Sequence, residues 1–101
     1  MGRDEASSAP AEIMKAVASH FGLKPSELKL RTKKEAIVFP RQVAMYVLKS
    51  ATSLSFPEIG RLFGDKHHTT ALHAIKKIAA RIEEDPELNR QITNLIAQFR
   101  P

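Results

Sequence analysis

There is no cysteine anywhere in the chain, which excludes disulfide staples, thiolate zinc fingers and a cysteine nucleophile. That absence fits a reducing cytoplasm. Long apolar runs are missing too. None approaches the ~18 residues of a membrane-crossing helix, and the opening MGRDEASSAP has no apolar signal core. The phosphate-cradling pattern G-x-x-x-x-G-K-[ST] and the nucleophile elbow G-x-S-x-G do not occur, and no nucleophile–base spacing replaces them. Strand-like alternation is confined to residues 36–39, too short and isolated for a sheet. Acidic residues are scarce in the middle of the chain. From Arg31 to Arg81 ten Lys and Arg face only Glu35, Glu58 and Asp65, a local charge of +7. The two ends together carry six bases and eight acids.

What is present is a 101-residue chain with 43% hydrophobic residues and a formal charge of +5. That is one small domain with a modest core, too small for separate cofactor and substrate domains. The excess of base favours a polyanionic partner: DNA, RNA or an acidic membrane surface. Solvated helix faces are the plain alternative, and the segregation of charge argues against them.

The periodicity predicts helices separated by short breaks. Residues 1–9, small and polar, read as a flexible lead, and residues 10–101 as the domain. Pro10 suits a first helical position, Ile13, Val17 and Phe21 share a face, and Gly22 ends that helix. Residues 25–28 read as a single turn, followed by a basic loop over 29–35. Pro40 is expected to open a second helix carrying Ala44, Val47, Leu48 and Ala51. Ser55-Phe-Pro-Glu58 is a capping box for a short helix with Ile59, Leu62 and Phe63. After the turn Gly64-Asp65-Lys66 comes a longer helix with apolar Ala71, Leu72, Ile75, Ile78, Ala79 and Ile82. Asp85 and Pro86 then cap and start a last helix on Leu88, Ile92, Leu95, Ile96 and Phe99. The fold class is all-α.

A short capped helix, a glycine-bearing turn and a longer helix make a helix-turn-helix. Opposite the apolar side of the longer helix fall Lys66, Thr69, Thr70, His73, Lys77 and Arg81. Short hydroxyls at the helix tip suit base edges in a major groove, and the bases beyond them, Lys66 and Lys77 included, suit phosphates. The competing reading makes Thr69 and Thr70 simple helix caps. His67, His68 and His73 do not share one helical face and lack the i, i+4 spacing that zinc requires, so no metal site is expected. The five phenylalanines read as core and helix-entry anchors rather than base-stacking platforms.

The stretch Phe56-Pro-Glu-Ile-Gly-Arg-Leu-Phe-Gly-Asp-Lys-His-His-Thr-Thr-Ala-Leu-His-Ala-Ile-Lys-Lys-Ile78 closely resembles the signature of the bacterial chromosomal replication initiator family, DnaA. The segment Phe39-Pro-Arg-Gln-Val-Ala-Met45 is similar to that family's Arg-Pro-Arg-Gln-Met-Ala-Met. Together the motifs cover about residues 11–99 and correspond only to the family's C-terminal DNA-binding domain. The resemblance implies a six-helix, Trp-repressor-like domain that binds a short asymmetric duplex site as a monomer. It implies base contacts from His67, His68 and Thr69, with Thr70 on the backbone. Arg41, Gln42 and Lys49 fall on phosphate-binding positions, and Phe56 and Pro57 on a helix start that approaches phosphate. Lys33 falls where the family inserts an Arg into the minor groove.

Three departures stand out. His67 replaces an Asp that accepts from cytosine, Lys33 and Glu35 replace bases in the loop, and Ala71 replaces a larger aliphatic residue. Imidazole at position 67 changes what can be read there. The resemblance includes no nucleotide-binding domain. The expected roles are thus an initiator's DNA-binding part or a free-standing regulator of replication or transcription at related sites. An RNA-binding or protein-interaction module on the same fold is the reading from a different class. No cofactor, small-molecule substrate, membrane contact or catalysis is expected, and the setting implied is the cytoplasm, at the nucleoid.

Overall fold

The helix with the most neighbours is α2, Glu35–Ala51, whose Val43, Ala44, Met45, Val47 and Leu48 are all buried. With almost no polar side of its own in this stretch, it is wrapped by every other helix of the fold. The computed structural model describes residues 2–64 and 66–99, with side chains from residue 9 onward. Around α2 lie α1, Gly2–His20, a 3-10 turn, Pro25–Lys29, α3, Phe56–Leu62, α4, His68–Glu84, and α5, Pro86–Ala97. No strand occurs among the described residues, and no helix among them is long and apolar enough to cross a membrane.

The architecture is all-α, as expected, but among the described residues the six-helix count becomes five α-helices and one 3-10 turn. Pro25 sets the start of that turn, and Leu30 returns to extended backbone at φ −67°, ψ 145°, before an α-helical repeat can develop.

Both proline-based starts are corrected. Pro10 lies inside α1, which begins at Gly2, and Pro40 lies inside α2, which begins at Glu35. Lys34 is extended, and its carbonyl accepts from the N–H groups of Ile37 and Val38 at 3.0 and 2.8 Å, so the helix closes before the proline is reached. Pro40 cannot donate to the carbonyl of Ala36. Ala36 is exposed, so water can serve that carbonyl, while Ile37 and Pro40 gain burial against the core. Tertiary burial thus outweighs the local signal.

The ends of α5 and α3 behave as their sequences dictate. The Asp85 carboxylate accepts from Leu88 N–H at 3.1 Å, and Pro86 follows at the start of α5. Leu88, Ile92 and Leu95 are buried, with Ile96 and Phe99 packed beside them. In α3, Ser55 N–H donates to Glu58 Oε1 at 2.8 Å, and Glu58 N–H donates back to Ser55 Oγ at 3.3 Å. Phe63 is fully buried, whereas Phe21, Phe39, Phe56 and Phe99 are partly buried against the core.

Gly60 is the point where the turn between α3 and α4 folds back on itself. Its carbonyl accepts from Phe63 N–H at 3.2 Å and from Lys66 N–H at 2.9 Å. A Cβ at this position would collide with the backbone carbonyl oxygen of Lys66, an atom that cannot swing aside. Gly64, at φ +81°, supplies the left-handed residue that lets the chain reverse. Asp65, expected within this turn, lies outside the described residues. Gly60→Ala is therefore expected to destabilise the domain by about 1–3 kcal/mol, as overpacking does. In a thermal melt that is a fall in Tm on the order of 10 °C; an unchanged Tm would show that the turn can relax.

Candidate nucleic-acid interface

The tip of α4 begins at His67, whose backbone is extended at φ −63°, ψ 149° and whose side chain does not cap the helix. Its carbonyl accepts from Thr70 N–H at 3.0 Å and Ala71 N–H at 3.4 Å. The N–H groups ahead of these have no carbonyl one turn back, as at any helix start. Thr69 and Thr70 occupy helical positions inside the first turn, so neither is the N-cap. Both are exposed, as are His67 and His68. The periodicity of α4 alone puts His68 towards the core side; at the first helical position it is exposed, with the His67 ring against it.

Further along the same side, His73, Lys77 and Arg81 are exposed, while Ala71, Ala74 and Ile78 are buried on the other. Between this row and α2 runs a groove of about 270 Å³ lined by residues including Arg41, Gln42, Thr70, His73 and Lys77. Gln42 Oε1 is buried there without a hydrogen-bond partner among the described residues. Arg81 departs from the row: its guanidinium lies 4.5 Å over the ring of Phe39, held by cation–π attraction.

A second recess of about 410 Å³ joins the basic loop to the helix-turn-helix, lined by Arg31, Thr32, Lys33, Arg41 and Lys66. Arg41 is buried at 9% exposure, and its two terminal nitrogens donate to the carbonyls of Leu30 at 2.9 Å and Thr32 at 3.4 Å. The planar fork thus ties the loop to α2. Lys34 N–H donates to Thr32 Oγ1 at 3.2 Å and closes the loop. Burial lowers the pKa of Arg41 from its ordinary value. Lys66 is lowered too, by partial burial first and then by the positive charges of Arg41 and Arg31. Such crowding of like charge is relieved by a polyanion.

A third cluster sits at the start of α3. Lys49 Nζ donates to the Leu54 carbonyl at 3.2 Å and lies 4.6 Å over the Phe56 ring, which fixes its ammonium beside that helix start. Phe56 and Pro57 occupy the first two positions of α3, and Pro57 is exposed.

The structure thus gathers His67, His68, Thr69 and Thr70 at one tip, with Gln42, Lys77 and His73 along one groove and Lys33, Arg41 and Lys66 around one recess. Lys49, Phe56 and Pro57 form their own group. Sequence reasoning did not single out Gly60, Arg31 or the tying role of Arg41. A glycine inside a capped helical run was the available signal for Gly60. Nothing local marks Arg41, whose partners stand nine and eleven residues away.

A capped short helix, a tight glycine turn and a long helix with an exposed polar tip define a helix-turn-helix DNA-binding domain. A family model described as the bacterial dnaA protein helix-turn-helix matches residues 10–78. The chain belongs to that family. It is 48% identical over 86 residues to the chromosomal replication initiator protein DnaA of Thermus thermophilus, covering 85% of this chain and 20% of that protein. To the initiator of Symbiobacterium thermophilum it is 40% identical over 90 residues, 89% of this chain and 20% of that one. A crystal structure of a DNA replication initiation factor superposes with a TM-score of 0.81 at 26% identity, covering 96% of this chain and 29% of that one. The chain spans about a fifth of the length of these initiators.

The capping box gives the interface a defined acid response. The hydrogen bonds with Ser55, backbone first and side chain second, hold the Glu58 pKa below its ordinary 4.5, and Arg61 and Lys49 add to this while desolvation opposes it. A carboxyl depressed in the folded state stabilises fully above its unfolded pKa and loses that contribution as pH falls through the folded one. Urea unfolding should accordingly show Glu58→Gln less stable than the parent at about pH 6 and converging with it near pH 3. A constant gap across that range would separate Glu58 from the acid response.

Proposed function

We propose that the domain binds a short, asymmetric duplex DNA site as a monomer. In this reading the tip of α4 enters the major groove and the basic loop sits over the adjacent minor groove. The observation that carries the reading is the continuity of one exposed surface. The polar tip at residues 67–70, the groove beside Lys77 and the recess around Lys66 adjoin one another, and all draw on the +7 segment of the chain. Base readers are His67, His68, Thr69 and, from the loop, Lys33. Gln42, Lys49, Lys66, Thr70 and Lys77, with the start of α3 at Phe56 and Pro57, hold the phosphate backbone. Arg41 contributes charge to phosphate and keeps the loop in place through its two carbonyls.

The family relationship supports a role in chromosome replication, with the domain recognising sites on chromosomal DNA in the cytoplasm. It is a reader without catalysis, cofactor or small-molecule substrate. The crowding around Lys66 supports duplex DNA in particular, because two phosphate tracks flanking a groove meet both the loop and the helix tip at once.

Fluorescence-anisotropy titration of a labelled duplex at several salt concentrations tests this. With roughly four to six phosphates neutralised, log K should fall with log salt at a slope of about −4 to −5. Affinity independent of salt, or a strict need for a palindrome, would overturn it. Positioning and reading should also separate by residue. Lys77→Ala is expected to weaken every duplex alike and flatten the slope by about one. Thr69→Ala should cost about 1–3 kcal/mol on the preferred site and little on random DNA. Equal losses on both duplexes for Thr69→Ala would remove it from the base readers.

A further inference from the structure

Two exposed side chains at the tip of α4 are joined by a hydrogen bond: His67 Nδ1 lies 3.1 Å from Thr69 Oγ1. The His67 ring also stacks on His68, with centroids 4.7 Å apart and planes tilted by 33°. With Nδ1 engaged on Thr69, Nε2 is the ring nitrogen left for an outside partner.

The bond makes the two residues one hydrogen-bonding unit. A neutral imidazole carries one N–H and one lone pair. When Nδ1 accepts, the Thr69 hydroxyl spends its hydrogen on the ring, and Nε2–H is the single outward donor. When Nδ1 donates, the Thr69 hydroxyl is the single outward donor, and Nε2 accepts. Either tautomer leaves the pair with one outward donor. The protonated ring donates from both nitrogens. Nδ1–H then points at Thr69, the hydroxyl hydrogen is released outward, and Nε2–H stands beside it. Protonation raises the outward donors from one to two.

Major-groove edges distinguish these states. Adenine shows an acceptor at N7 and a donor at N6, whereas guanine shows two acceptors, N7 and O6. We propose that His67 and Thr69 form a coupled reading unit whose preference moves from adenine towards guanine when His67 takes up a proton. The inference rests on the DNA-binding reading above. A carboxylate at position 67 could not do this, because it offers acceptors only across the same pH range.

The charged and titratable groups around this tip are mostly cationic. They are His68, stacked on the ring, Lys66 just before it, His73 further along α4, and Arg31 and Arg41, whose charges reach Lys66; the packed helix α3 carries Glu58 and Arg61. Asp65 stands two residues earlier in the sequence. A guanine edge or a phosphate at Nε2 needs a donor, which the protonated ring supplies there while still donating to Thr69.

The test is selection of bound sequences from a random duplex pool at about pH 8 and about pH 5.8, on either side of the ordinary histidine range. Wild type, Thr69→Val and His67→Asp are compared. Between the two pH values wild type should show the guanine-to-adenine ratio at one position of the site rising by about tenfold, and both variants should hold it nearly constant. Affinity rising equally on all duplexes, with the ratio fixed, would overturn the proposal, since charge alone would explain it. A full shift retained in Thr69→Val would overturn it too, because His67 would then act without its partner. An arm without DNA keeps the two readings apart. In the free domain, ¹⁵N resonances of the His67 ring should report a changed tautomer population in Thr69→Val, and an unchanged population contradicts the bond. Failure to bind any duplex at either pH overturns the DNA-binding reading and this inference together. Binding without the shift overturns this inference alone.

Discussion

The turn between α3 and α4 is closed on the carbonyl of Gly60, which Lys66 N–H reaches at 2.9 Å, and the geometry of the interface follows from that contact. The contact requires a residue without a side chain at position 60, because Lys66 backbone occupies the space a Cβ would need. With the turn held this close, Lys66 emerges beside Arg41 and the loop, and His67 starts α4 with its side chain exposed. A looser turn would leave the same residues in the chain without bringing them to one surface. The capping box at Ser55 and Glu58 fixes the other end of α3, so the short helix is held at both ends.

A second constraint ties the loop to this frame. Arg41 sits at the base of the recess with two carbonyls in its fork, and the carbonyls belong to Leu30 and Thr32, on either side of Arg31. Loop residues Arg31 and Lys33 are therefore presented by a buried cation on the central helix. Burying a charge costs free energy unless it is hydrogen-bonded, and the two carbonyls supply that compensation. The result is a patch whose like charges crowd one another in the free domain, where Lys66 is held below its ordinary pKa by burial first and then by Arg41 and Arg31. A ligand carrying regularly spaced negative charge relieves that crowding.

Elements with a clear period or a cap were readable from the sequence, and those decided by burial were not. Ser55–Glu58 and Asp85–Pro86 appear as the bonds their residue types require, because capping is a local interaction. The apolar stripes of α4 and α5 likewise translate into buried Ile78, Leu88, Ile92 and Leu95. The start of α2 went the other way: Pro40 looks like a first helical residue, yet burial of Ile37 and of the proline itself pulls the helix back to Glu35. The motif residues at the α4 tip are contiguous in the chain and come out together at one exposed end of that helix. Their internal chemistry was not visible, because the His67–Thr69 bond depends on where the helix begins. Arg41 resembles any exposed base in sequence, and only the fold shows that it is buried.

The central claim is that the α4 tip and the basic loop contact the same duplex at once. Amide chemical-shift mapping tests this most directly, with ¹⁵N-labelled domain titrated with a duplex recovered by selection from a random pool. The account predicts that the largest changes fall together on His67, His68 and Thr69 and on Arg31, Thr32 and Lys33, while the exposed side of α5 at Arg90, Thr93 and Asn94 stays unmoved. Changes centred on α5, or confined to the loop with the α4 tip silent, would contradict it.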